Sequence, residues 1–234
     1  FAVNQVYMDF DIIGSDDNSK FIDVALVAAK REGVDDVLQM CKNAGLTPRI
    51  IDVDSFACMN TFLTAYPEEV GKTVALVNIG AKITNVIVMD KGTPAFSRDV
   101  YFGGDDITGS LSKKLHIDLQ AAAKIKYNLK KEKDENIALI IREILGYLMT
   151  ELKLSFDYFE NQEQKKKSKI EAVYLIGGTS RLEGIDGILS QGLGTSVQIL
   201  DPLRCVTVDP SIDQNLLNTY SASLAVPIGL ALRS

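Results

Sequence analysis

Residues 73–108 read TVALVNIGAKITNVIVMDKGTPAFSRDVYFGGDDIT. VALVNIG is a continuous apolar run that closes on a polar residue and a glycine. ITNVIVM follows, then a turn at 90–94 (DKGTP), then AFSRDVYF. Three closely spaced strand signals with short turns predict an antiparallel meander. Beyond Gly103-Gly104 the apolar period lengthens to that of helices. One is expected at about 105–115 and a second at 118–127, with Asp118 as its N-cap. A third and longer helix is expected at 136–161. Its stripe is Ile137, Ile141, Ile144, Leu145, Leu148, Leu152, Phe156 and Phe159, a steady 3.6-residue period.

Working outward, EAVYLI (171–176) reads as a buried strand that runs into Gly177-Gly178. A helix at 184–193 and a strand at 197–200 follow, and a last helix is expected at 219–232. On the N-terminal side, strands at 6–13 and 21–28 flank GSDDNS, which has turn chemistry. A helix at 33–44 carries Val34, Val37, Leu38 and Cys41, with Gly45 as its C′ residue. RIIDV (49–53) reads as a short strand. Asp54 or Ser55 would cap the next helix, which carries Phe56, Met59 and Phe62. Strands mixed with helices in this order make the class α/β.

Composition narrows the function. The chain has 234 residues, 46% apolar and 24% charged, with a net charge of −6. That is the globular range, so disorder is excluded as the main reading. An acidic chain is a poor generic binder of nucleic acid, and it lacks a polybasic membrane anchor. The lysine-rich NQEQKKKSK (161–169) reads as a solvated loop. No apolar run approaches the roughly 20 residues of a membrane span, so direct membrane insertion is not expected. The first residue is Phe1, which suggests a fragment of a longer protein. Cys41, Cys58 and Cys205 are scattered, so neither a disulfide framework nor a zinc site is expected, and a reducing, cytoplasmic setting fits. His116 is the sole histidine; it gives no metal cluster and no Ser-His-Asp triad, and a solvated or capping role suits it. The pairs Asp16-Asp17 and Asp105-Asp106 suit a hairpin turn and a helix start. Neither GxxxxGK[ST] nor a strand followed by GxGxxG occurs.

Three glycine-marked turns remain, each at the end of an apolar strand: Asn78-Ile79-Gly80-Ala81-Lys82-Ile83-Thr84, Gly103-Gly104-Asp105-Asp106, and Gly177-Gly178-Thr179-Ser180-Arg181. Glycine lets backbone amides approach a ligand with no Cβ between them. A helix start just beyond offers free N–H groups to an anion. Thr84, Thr179 and Ser180 could add hydroxyl hydrogen bonds to phosphate. Each turn alone is equally a tight bend. Lys82 suits either a phosphate contact or a surface position, and Arg181 either an adenine-stacking or a surface role.

The sequence resembles the actin-like ATPase superfamily, and within it the type IV pilus assembly protein PilM family, kin of the cell-division protein FtsA. LVNIGAKITNVIV (76–88) is similar to the family's second phosphate loop, usually DIG with a downstream Thr. FSRDVYFGGDDIT (96–108) is similar to its RDI-x-x-GG-x-x-(I/L)-T segment. YLIGGTSRLEGI (174–185) resembles the adenosine turn, and PIGLALR (227–233) the terminal helix. VALVAAKREGVDDVLQMCKNAGLTPRIIDVDSFA (24–57) resembles the PilM pattern more than the FtsA one.

The resemblance implies an actin-like ATPase (ribonuclease H-like) fold with two core lobes and a small 1C-type subdomain. Residues 1–46 would be part of that subdomain and 47–72 part of the first lobe. Residues 73–104 and 170–218 would form the second lobe, 105–169 its helical outer subdomain, and 219–234 the helix returning to the first lobe. ATP with magnesium would lie against Asn78, Gly80, Lys82, Thr84, Gly103, Gly104, Lys126, Gly177, Gly178, Thr179 and Arg181. The implied role is a cytoplasmic adaptor, peripheral at the inner membrane. It would bind the cytoplasmic tail of a single-span PilN-like partner, with self-association an open option, and would not be an enzyme beyond weak ATPase activity.

Two positions depart from the family pattern. The usual aspartate of the second phosphate loop is Asn78, which orients a water but cannot act as a base or add charge to a magnesium shell. In the helix usually written A-E-x-x-K, the lysine is Lys126 but the glutamate is Ala123. A lost ribose hydrogen bond costs about 1–3 kcal/mol. The family's first phosphate loop lies before Phe1, so weak or degenerate ATP binding is expected. An FtsA-like cell-division protein and a type II secretion relative are the alternatives. A sugar-kinase-type phosphotransferase is a further one, disfavoured because Asn78 stands where a carboxylate is needed.

Overall fold

The computed structural model describes residues 2–15, 22–128, 135–161 and 168–233. They form two compact units, Phe1–Asp52 and Val53–Ser234.

In the first unit, β1 (Val6–Ser15) and β2 (Ile22–Lys30) make an antiparallel ribbon. Of the GSDDNS turn, residues 16–19 lie outside the described residues. Helix α1 (Arg31–Asn43) follows directly and packs on β2. Strand side chains alternate between faces. Ala25, Val27 and Ala29 are half-buried, whereas Val24 and Leu26 are exposed. Across the register Phe10 faces Leu26 and Ile12 faces Val24. Met8, Phe10, Ile12, Val24 and Leu26 therefore share one exposed apolar face. The other face is pinned near its start by Tyr7, whose hydroxyl donates to Asp35 Oδ1 at 3.0 Å while the Arg31 guanidinium lies 4.2 Å over its ring. RIIDV (49–53) forms no strand. An extended segment needs a neighbour to take its backbone hydrogen bonds; none of the described strands pairs with it, and Ile50 and Ile51 are exposed.

The second unit is built on five strands in the order β5-β4-β3-β6-β7. The meander is β3 (Thr73–Ile79), β4 (Thr84–Asp90) and β5 (Thr93–Val100), and β6 (Ala172–Ile176) and β7 (Ser196–Ile199) add in parallel. Lys91 and Gly92, with φ of 52° and 79°, make the two-residue turn between β4 and β5, as a twisted hairpin requires. Pro94 is tolerated because β5 is an edge strand. The central β3 and β6 are covered on both faces, which is why they read as unbroken apolar runs.

Helices α2 (Asp54–Ala65), α3 (Gly104–Leu115), α4 (Leu119–Tyr127), α5 (Glu135–Glu160), α6 (Ile185–Leu193), α7 (Gln214–Tyr220) and α8 (Ala225–Ala231) complete this unit. On one sheet face Val77, Val86 and Leu175 share a core with Ile141, Leu145, Leu148 and Leu152 of α5. On the other, Leu76, Ile87, Tyr174 and Ile176 meet Cys58 and Phe62 of α2 and Ala225 of α8. Asp118 caps α4 as expected, accepting from Ala121 N at 2.8 Å. His116 ends α3 in the left-handed region with φ 54°. Burial pushes the Cys58 thiol up to about 12, and the nearby Asp54 adds to the shift. Among the described residues all three cysteines are free.

Two further expectations are corrected. The N-cap of α2 is Val53, and Asp54 sits in the first turn instead, where its charge still suits the helix dipole. The single C-terminal helix expected at 219–232 is α7, a 3₁₀ turn at Ser221–Ser223, and α8. Pro227 explains the break: in a continuous helix its ring would meet the Ser223 carbonyl, and it has no N–H to bond there.

Helices α2 and α8 cross at closest approach. Thr61 Oγ1 donates to Ala225 O at 2.6 Å, and a Cβ on Gly229 would fall 1.8 Å from Ala57 O. Gly229→Val should therefore destabilise the protein by about 2–3 kcal/mol in urea unfolding. Gly146, inside α5 with open space around it, gives the opposite sign: Gly146→Ala should gain roughly 0.5–1 kcal/mol.

Candidate functional site

Strand β3 ends at Ile79, and the next residue, Gly80, closes its loop by donating from N to Ile83 O at 3.0 Å. Its own carbonyl oxygen receives two donors, Gly104 N at 3.0 Å and Thr179 Oγ1 at 2.9 Å. The three glycine turns thus meet on one atom. Asp105 N adds a bond to Ala81 O at 2.7 Å. Asp106 closes the start of α3 by accepting from Gly103 N at 2.9 Å.

The glycines are needed by each other. A Cβ on Gly103 would lie 2.4 Å from Ala81 O, and one on Gly104 would lie 2.5 Å from Thr179 Oγ1. Gly177, at φ +86°, would place a Cβ 2.6 Å from both Asn78 Oδ1 and Ile79 O. Turn-on-turn packing, more than approach to a ligand, accounts for these three. Gly178 differs: a Cβ there would meet only Ser223 Oγ, at 3.4 Å.

The small hydroxyls are turned inward as well. Thr84 is fully buried and donates to Phe102 O at 2.8 Å. Ser180 donates to Gly177 O at 2.7 Å, and Thr179 is committed to Gly80 O. In this structure these three hydroxyls brace the turns.

Lys126 lies at the same convergence. It is 4% exposed, and its ammonium donates to Gly104 O at 2.9 Å and Thr108 Oγ1 at 3.0 Å. Among the described residues no carboxylate lies within ion-pair distance of it. A buried cation without a counter-charge is costly, so this position favours an incoming anion. Lys82, by contrast, is exposed.

A cleft of about 490 Å³ is lined in part by Tyr127, the residue after Lys126, and by Arg181, Leu182 and Ile199. The Arg181 guanidinium donates to Thr219 O and lies 5.9 Å from the Tyr127 ring centroid. Tyr127 was not among the expected site residues; its signal is an aromatic placed directly after Lys126. The Asn78 amide bonds across the sheet, Nδ2 to Asn85 Oδ1 at 3.1 Å, and Asn85 Nδ2 continues to Asp99 Oδ1 at 2.8 Å.

The family described as type IV pilus assembly protein PilM matches residues 1–234. The solved PilM-PilN type IV pilus biogenesis complex is similar at a TM-score of 0.85 and 29% identity, over 99% of this chain and 67% of that one. MreB 5 of Spiroplasma citri bound to AMPPNP is similar in fold, with a TM-score of 0.62 and 12% identity over 87% of this chain and 64% of that one. Cell division protein FtsA of Staphylococcus epidermidis is 19% identical over 224 residues, covering 87% of this chain and 47% of FtsA. The chain spans about half the length of the curated relatives it matches.

The meeting of turns is testable by a double-mutant cycle. Gly104→Ala and Thr179→Ala should each destabilise the protein, by about 2 and about 1 kcal/mol. Removing the Thr179 side chain relieves the clash of the new Cβ, so the double variant should deviate from additivity by about 1 kcal/mol; a sum within roughly 0.5 kcal/mol would show that the two turns do not touch.

Proposed function

The chain belongs to the type IV pilus assembly protein PilM family and has the actin-like ATPase fold, and from that we propose that it serves as an actin-like adaptor of a type IV pilus assembly platform. Its partner is the cytoplasmic tail of a single-span, PilN-like inner-membrane protein, which holds the adaptor at the cytoplasmic face. The observation that carries this reading is the likeness, along almost the whole chain, to the PilM-PilN complex. No described helix is long and apolar enough to cross a membrane, in keeping with attachment through a partner. The apolar ribbon face of Met8, Phe10, Ile12, Val24 and Leu26 has the chemistry that an apolar-anchored peptide takes.

We further propose that the convergence of turns takes a nucleotide of the ATP class. Lys126 would neutralise phosphate charge, the backbone at Gly103-Gly104 and Gly177-Gly178 would flank it, and Tyr127 and Arg181 would hold the base. The neighbour MreB 5 is solved with AMPPNP. A magnesium ion would supply charge neutralisation between phosphates; Asn78 suits it only through the ion's water shell, since a neutral amide adds no charge. The same neutrality removes a general base from this position and supports binding with little or no turnover. Residues 73–104 and 170–218 are assigned to one core lobe, 105–169 to its helical outer part, 47–72 and 219–234 to the other lobe, and 1–46 to the 1C-type subdomain.

Titration of the protein with a fluorescent peptide copy of the partner's tail should give saturable binding, weakened at least about tenfold by Phe10→Asp or Leu26→Asp. Absence of saturable binding would contradict the adaptor reading. A fluorescent ATP analogue should bind wild type at least about tenfold more tightly than Lys126→Met; equal binding removes Lys126 from the site.

A further inference from the structure

We propose that Asp99, two strands away from the ligand site, fixes the polarity of the Asn78 amide so that Asn78 presents a carbonyl oxygen, a pure acceptor, at the Gly177 turn, and thereby favours a phosphate ligand carried with its hydrated cation over the bare anion. The first half of this inference stands on the chain's own hydrogen bonds; the second rests on the nucleotide reading above.

Asp99, Asn85 and Asn78 are directly opposite one another on β5, β4 and β3. They share one sheet face, at the strand ends that lead into the first two glycine turns. A carboxylate only accepts hydrogen bonds, whereas an amide side chain has one accepting and one donating end. Asn85 must therefore turn its NH₂ to Asp99, as observed at 2.8 Å. Its carbonyl then faces Asn78, which must offer its own NH₂, as observed at 3.1 Å. Flipping either amide sets oxygen against oxygen or nitrogen against nitrogen. The orientation of Asn78 is thus dictated from Asp99 outward, one strand at a time.

The consequence lies at the far end. Asn78 Oδ1 is left beside Gly177, where a Cβ would come within 2.6 Å of it. None of the described residues donates a hydrogen bond to that oxygen. A lone acceptor repels phosphate oxygens but takes a hydrogen bond from water, including water held by a magnesium ion. Asp99 is a positioning residue: it acts through Asn85 and Asn78 and has no contact of its own with the ligand.

The test uses the full chain, with Asp99→Ala and Asp99→Val as variants, neither of which can accept a hydrogen bond from Asn85; position 99 is exposed, and an unchanged backbone amide spectrum checks that each folds. Side-chain NH₂ signals of Asn78 are followed by ¹⁵N NMR. Wild type should show a single pair, slow to exchange with solvent, and both variants should lose that protection. Dissociation constants for a fluorescent ATP analogue are then measured with Mg²⁺ and with EDTA. Their ratio should fall at least threefold in the variants. If the Asn78 NH₂ signals do not change, the polarity relay is overturned, whether or not nucleotide binds. If they change while the magnesium ratio stays constant, cation selection is overturned and the relay stands. If wild type binds no analogue in either buffer, the nucleotide reading fails together with the selection built on it, and the relay is judged by the NH₂ signals alone.

Discussion

The carbonyl oxygen of Gly80 holds three turns of the larger unit together. It is the one atom on which the β3–β4 loop, the start of α3 and the turn after β6 all converge. Two donors on a single carbonyl is full use of its lone pairs, and such closeness leaves no room for side chains at Gly103, Gly104 or Gly177. The sheet order makes the meeting possible: β3 lies between β4 and β6, so the ends of adjacent strands deliver two of the turns side by side. The chain after β5 then brings in the third.

Much of this was readable before the structure. The meander, the apolar stripe of α5 and the N-cap at Asp118 follow from strand alternation, helical period and capping chemistry, which are local properties of the chain. What failed to show was non-local. RIIDV has the composition of a strand, but a strand exists only where a neighbour accepts its backbone groups. The C-terminal helix looked continuous because PIGLALR is apolar at the right spacing; the constraint that breaks it, the missing N–H of Pro227, acts four residues upstream. The sequence singled out the glycines for approach to a ligand, and the structure adds a second reason for them. Sequence marks where a Cβ is forbidden, not what forbids it, and here three of those neighbours are other turns. For Thr84, Thr179 and Ser180 the same limit applies: a hydroxyl beside a glycine turn serves a ligand or the turn itself, and only the geometry distinguishes them.

The functional reading joins two surfaces with different physics. The ribbon in the Phe1–Asp52 unit exposes apolar side chains on one face, and two strands with one covered side are a marginal structure unless something else packs there. The proposed peptide partner would answer that need. The glycine-turn site is instead electrostatic. Among the described residues it has a buried ammonium with backbone and hydroxyl partners and no carboxylate within ion-pair distance, and a neutral amide at Asn78. That combination is consistent with the proposed nucleotide site, binding an anion with little turnover.

The central claim is that three turns act as one anion site around Gly80 and Lys126. Hydrogen–deuterium exchange during titration with magnesium and a non-hydrolysable ATP analogue tests it most directly. The account predicts that amides at 80–84, 103–106 and 177–181 gain protection together, along a single saturation curve. Protection confined to one of these segments, or gained at different ligand concentrations, would contradict it.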